Sequence, residues 1–191
     1  MLMTTRAMET PQEIYTRLMR ARRGEPVEAT LARILASWSL GMGGMPDYLG
    51  LSQADFLRMM AHCFPNYNVD ELNQKGAPID VQRLDETEDL RKLLINNRTG
   101  NSESEIWMVD IVIAGCLGND HLWQDLGLWQ RADLSKLMMD NFSPLALRNV
   151  KDMKWKKFLY KQLCETEGIY TCRAPSCEAC ADYTNCFGPE E

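Results

Sequence analysis

The segment that most constrains this chain is Cys172-Arg-Ala-Pro-Ser-Cys177-Glu-Ala-Cys180-Ala-Asp-Tyr-Thr-Asn-Cys186, a C-x4-C-x2-C-x5-C run that holds four of the seven cysteines. Only Tyr183 and Phe187 supply large apolar side chains near these thiols. So little apolar surface does not offset the entropy of ordering the segment. A metal centre is therefore the expected source of its fold. Thiolates bind soft and borderline metals, and four of them form the usual protein shell of a structural zinc or an iron–sulfur cluster.

Compartment and spacing bear on which centre it is. The start, Met1 to Pro11, has no apolar h-region, and the overall 45% hydrophobic and 25% charged residues match a soluble globular protein. The longest apolar run, Ile106 to Leu117, is interrupted by Asp110 and is too short to span a bilayer. We therefore expect a cytoplasmic protein with no membrane partner, where close cysteines are metal-binding before they are disulfides. The inner pair, Cys177 and Cys180, suits either metal. Outer gaps of four and five residues depart from paired zinc knuckles. On spacing alone an iron–sulfur site stands first, zinc second, and disulfides or unligated thiols last.

The rest of the chain reads as all-α, a helical bundle carrying this cysteine-rich, metal-binding tail. A short helix is expected over Pro11 to Arg22, followed by a charged linker with Gly24 and Pro26. Leu31, Ile34, Leu35 and Trp38 recur at helical spacing until Gly41-Met-Gly-Gly-Met-Pro46 ends the run. That glycine cluster lacks the strand and the Lys-Ser/Thr ending of a phosphate loop, so it is a helix-terminating turn. Ser52-Gln-Ala-Asp55 and Ser102-Glu-Ser-Glu105 are capping boxes that open two further helices. The second is apolar almost all round, as expected at the centre of a bundle, although its β-branched residues leave a strand open. A helix is also expected at about 84–97, after an irregular loop over 66–81. A short one is expected from His121 to Leu126 and another at 132–141. Ser143-Pro144 predicts the start of a last long helix reaching about Glu165. Three regions result: 1–27, an N-terminal segment that is partly mobile; 28–165, the helical domain; and 166–191, the cysteine-rich tail.

Two further features bear on chemistry. Between Arg148 and Lys161 six basic residues face one acidic residue, Asp152. On one continuous helix Lys151, Lys154, Lys157 and Lys161 share an arc, with Trp155, Leu159 and Leu163 on the far side. The arc is either a solvated face or a surface that attracts anions or docks a partner. The formal charge of −6 argues against general nucleic-acid binding. His121 and Cys164 are secondary candidates for metal ligands. His62, Cys63 and Cys116 fit core or surface packing. No nucleophile motif, metalloprotease motif or Walker loop is present, so a hydrolase has little support.

The motifs Cys172-x4-Cys177-x2-Cys180-x5-Cys186-Phe187, Met153-Lys-Trp-Lys-Lys-Phe158-Leu-Tyr160 and His121-Leu-Trp-Gln-Asp-Leu-Gly-Leu128, together with Arg131-Ala-Asp-Leu134 and Asn141-Phe-Ser-Pro144, resemble the NifQ family of nitrogen-fixation proteins. The likeness is close over about residues 115–187 and looser around Met45-Pro-Asp-Tyr-Leu-Gly-Leu51. It implies a protein that processes molybdenum and donates it for assembly of the nitrogenase iron–molybdenum cofactor. It implies an iron–sulfur cluster of 4Fe-4S or 3Fe-4S type and molybdenum, with Cys172, Cys177, Cys180 and Cys186 as ligands. The implied partners are the cofactor-assembly scaffold, the nitrogenase reductase, and molybdate or a molybdenum–sulfur species. The residues by themselves leave open a zinc-stabilised helical protein-interaction module, or a redox protein using the cluster for electron transfer.

Overall fold

The computed structural model describes residues 9–72, 76–78, 87–100, 102–167 and 183–187. Among them every regular element is helical: α1 (Pro11–Arg20), α2 (Glu28–Ser39), α3 (Gln53–Cys63), α4 (Thr87–Asn96), α5 (Glu103–Cys116), α6 (Leu122–Asp125), α7 (Arg131–Asn141), α8 (Ser143–Ala146), α9 (Trp155–Glu167) and α10 (Tyr183–Cys186), with short 3-10 turns at Asp47–Gly50 and Val69–Glu71. None of these helices is long and apolar enough to cross a membrane.

Local chemistry sets the helix starts. The Ser52 and Ser102 hydroxyls accept from the backbone N–H groups of Asp55 (3.1 Å) and Glu105 (3.3 Å), satisfying donors that a helix start leaves unpaired. A third box, Thr10 with Glu13, opens α1. The segment from Glu103 is a helix rather than a strand, and from Trp107 to Cys116 all its residues except Asp110 are buried. It packs against α3, α4, α6 and the Asp47–Gly50 turn and forms the centre of the bundle.

The N-terminal helix belongs to the same core. Ile14 and Leu18 of α1 are fully buried, and α1 lies along α2. The charged stretch behind it folds over the buried carboxylate of Glu28. That group accepts from the backbone N–H groups of Arg23 (3.0 Å) and Gly24 (2.8 Å). Cys63 and Cys116 are buried in the core, as their apolar surroundings suggested.

The expected long helix from Ser143 to Glu165 does not form. Ser143 and Pro144 begin only the single turn of α8, and the chain turns before re-entering a helix at Trp155. Local bonds explain the break. The Asn149 side chain accepts from the Met153 N–H (2.8 Å) and donates to the Met153 carbonyl (2.9 Å), a closed pair that competes with helical bonding. Asp152 adopts φ 52°, a left-handed conformation that Asp tolerates better than most residues. Arg131 of α7 holds it there with a two-pronged bond to the carboxylate at 2.7 and 2.8 Å. The far-side stripe is as expected: Trp155 and Leu159 are buried and Leu163 packs against the core.

Asn149→Ala should lower stability by about 1–2 kcal/mol, the worth of two partly buried hydrogen bonds. The measurement is urea unfolding, with a lower midpoint at unchanged slope. Val150→Ala, at a side chain 85% exposed in the same turn, is the control and should change stability by less than about 0.5 kcal/mol.

Candidate metal and anion site

The end of the cysteine segment is built onto the start of α9. The Lys154 N–H donates to the Cys186 carbonyl (2.8 Å), and the Lys154 ammonium donates to the Thr184 carbonyl (3.1 Å). Next to Cys186, Phe187 is buried in the main core and stacks on Tyr183, with ring centroids 4.5 Å apart. Cys186 itself is half-buried against that core and carries a free thiol. Cys172, Cys177 and Cys180 lie outside the described residues. Among the described residues, no three His, Cys, Asp or Glu side chains converge as a metal-binding group.

The four lysines of the expected arc do not form one face. Lys154 and Lys157 line a cavity of about 460 Å³ with Lys156, His121 and Asn185. Lys151 and Lys161 line a second cavity of about 360 Å³ with Arg148 and Phe187. The break after α8 puts Lys151 in the turn and Lys154 immediately before the helix, whereas Lys157 and Lys161 both lie on α9. The tail end has one residue in each cavity, Asn185 in the first and Phe187 in the second. Lys161 also faces Glu165 at 3.7 Å. Of the two secondary ligand candidates, His121 lines the first cavity, while Cys164 lies half-buried on α9 outside its wall.

Behind the first cavity lies a charge pair that sequence reasoning did not identify. The Lys156 ammonium bonds the carboxylate of Asp125 and also donates to the Gly118 carbonyl (2.8 Å). The side chains are 17% and 3% exposed. Asp125 also accepts from the Asp120 N–H (3.1 Å), and its own carbonyl accepts from the Gly44 N–H (2.8 Å). The carboxylate sits so close to two glycines that they can carry no side chain. A Cβ on Gly118 would lie 2.3 Å from the Asp125 Cγ, and one on Gly44 would lie 2.5 Å from Oδ1. The available signal was a lone carboxylate between Leu122, Leu126 and Leu128, all of which are buried.

The remaining candidates are structural. His62 bonds the Glu25 carboxylate at 2.7 Å and meets the Trp107 ring edge-on. Burial, reinforced by the nearby Glu25 and Glu28 charges, pushes the Cys63 thiol up to about 12. It stays protonated at neutral pH and does not act as a thiolate ligand.

A family model described as NifQ matches residues 30–188, which span the bundle from α2 onward and all four tail cysteines. Protein NifQ of Azotobacter vinelandii is 44% identical over 170 residues, covering 84% of this chain and 87% of the relative. A protein NifQ homolog of Sinorhizobium fredii is 34% identical over 170 residues, covering 84% and 70%. Protein NifQ of Rhodobacter capsulatus is 32% identical over 171 residues, covering 86% and 91%. No solved structure matches the chain.

Removing one partner of the buried pair leaves an uncompensated charge. Asp125→Ala should therefore cost about 3–5 kcal/mol in urea unfolding. Asp125→Ala combined with Lys156→Met should cost less than the sum of the single changes, which a double-mutant cycle reads directly. Gly118→Ala should destabilise by about 1–3 kcal/mol, because its methyl group has no space beside the Asp125 carboxylate.

Proposed function

The chain belongs to the NifQ family, and from that premise we propose that it serves nitrogen fixation as an iron–sulfur and molybdenum carrier, processing molybdenum and donating it for nitrogenase iron–molybdenum cofactor assembly. The observation that carries this reading is the four-thiolate motif, which lies whole within the family match. Its last member, Cys186, is clamped to the lysine-rich start of α9. The donor set fits the cargo, since thiolate and sulfide suit iron and reduced molybdenum better than they suit hard oxygen-loving cations. Cys172, Cys177, Cys180 and Cys186 hold the cluster, which supplies sulfide-bridged iron as a soft binding surface for molybdenum. The polar tail gains its order from that ligation. Recipients are the cofactor-assembly scaffold and the nitrogenase reductase in the cytoplasm. A carrier of this kind needs an accessible site and no nucleophile, in keeping with a cysteine at the bundle edge.

Anaerobic purification followed by metal and sulfide analysis tests this reading. Iron with inorganic sulfide, a broad brown absorbance, and molybdenum that moves to an acceptor protein are expected. Single Cys→Ala changes at the four positions should each release most of the iron. Stoichiometric zinc without sulfide would overturn the proposal in favour of a zinc-stabilised interaction module.

A further inference from the structure

A basic concavity among the described residues is the 460 Å³ cavity between the Gly118–Leu122 loop and the start of α9. Lys154, Lys156 and Lys157 all line it, and Asp120 contributes the one carboxylate of the lining. Lys156 is neutralised by Asp125. Lys154 already donates to a neutral carbonyl, which leaves its charge uncompensated. Lys157 is exposed, with no carboxylate partner among the described residues. The cavity is thus net positive in a chain that is net negative.

The other polar lining groups can donate hydrogen bonds. Asn119 and Asn185 contribute amides, Tyr160 a phenol and His121 an imidazole. Ammonium and amide donors around an open cavity recognise oxyanions rather than cations. The volume is several times that of one water, about 30 Å³, so a small anion fits with part of its hydration shell retained. The walls are fixed rather than adaptable: the Asp125–Lys156 pair joins the loop to α9, and the Lys154–Cys186 bond joins α9 to the tail. The second cavity, with Arg148, Lys151 and Lys161 against Glu165, is also net positive; Met153, Phe158 and Phe187 are among its other lining residues.

We propose that this cavity binds a free tetrahedral oxyanion dianion of the molybdate, tungstate and sulfate class, next to the cysteine tail. Lys154 and Lys157 supply the charge, and Asn119, Asn185 and His121 supply further donors. The identity of the natural ligand as molybdate rests on the function proposed above, whereas the presence of an oxyanion site does not. The cavity is a holding position one residue from Cys186, separate from the thiolates themselves.

Equilibrium dialysis and calorimetry of the full-length protein, isolated anaerobically in buffer free of phosphate and sulfate, test the site. Titrants are sodium molybdate, tungstate, sulfate and phosphate. Saturable binding of molybdate and tungstate is expected. Lys157→Glu should weaken it by at least about tenfold, since reversing a unit charge beside a dianion changes four unit-charge interactions, each sizeable at contact even with the screening of water. Lys161→Glu, in the other cavity, should leave affinity within about twofold, the small effect of a screened charge beyond the site. Iron and sulfide are measured on the same samples. Cys177→Ala protein that loses iron yet still binds molybdate would support a site distinct from the cluster. Loss of molybdate binding together with iron would overturn the inference and leave the carrier reading standing. Zinc in place of iron, with oxyanion binding intact, would overturn the carrier reading and leave the cavity assignment standing. No saturable binding of any titrant, equal weakening by the two lysine variants, or a preference for phosphate over molybdate would each overturn the inference.

Discussion

Asp125 and Lys156 form the contact on which the arrangement around the tail depends. Through that carboxylate the loop after α5, the turn after α2 and the start of α9 meet at one point, joined by the Asp120 N–H, the Gly44 N–H to the Asp125 carbonyl, and the ammonium itself. Burying two opposite charges costs several kcal/mol per ion, and the attraction between them offsets that cost only when other lone pairs and protons are also satisfied. Here the carboxylate has a backbone donor and the ammonium a backbone acceptor besides each other. The net stabilisation of such a pair is small. Its effect is positional, because it ties α9 to the loop at the point where both charges are partnered.

That position is transmitted to the tail through the backbone. α9 starts where Lys156 is held, and Lys154, two residues earlier, is the residue that bonds the Cys186 and Thr184 carbonyls. Phe187 then buries the apolar content of the tail end in the main core. The last cysteine is therefore registered to the bundle by two hydrogen bonds and one aromatic ring. The thin apolar composition of the segment, which first suggested a need for metal, is consistent with so small a foothold.

Much of the bundle was legible from local signals. Ser52 and Ser102 announced helix starts because capping is a contact over three residues, and α5 declared its central place because apolar residues cover nearly all its sides. The last helix was misjudged for a non-local reason. Ser143-Pro144 is a sound start signal, but Asn149 closes a side-chain ring on Met153, and Arg131, 21 residues upstream, stabilises Asp152 in a left-handed conformation. With the helix broken, Lys151 left the four-lysine arc and fell in the turn before α9. Lys156 was counted among the basic residues without a role, since its partner lies 31 positions away and only the fold brings them together. Of the thiolate motif only Cys186 falls among the described residues, and His121 lies with Asn185 in the lining of the first cavity without any sequence periodicity to indicate it.

The distribution of charge connects these observations to the handling of anions. A chain of formal charge −6 repels a dianion at long range, but at about 0.1 M salt that repulsion is screened beyond roughly 10 Å, so the sign within the cavity governs what settles there. The Asp125–Lys156 pair contributes no net charge to that field, while Lys154 and Lys157 contribute two positive charges against the one negative charge of Asp120. Thiolate ligands and sulfide are themselves negative, so an oxyanion and a cluster would repel one another unless cations stand between or beside them. The start of α9 supplies those cations, and the buried pair behind it keeps them in place. One structural element, the start of α9, thereby both holds the chain at Cys186 and places cations beside it.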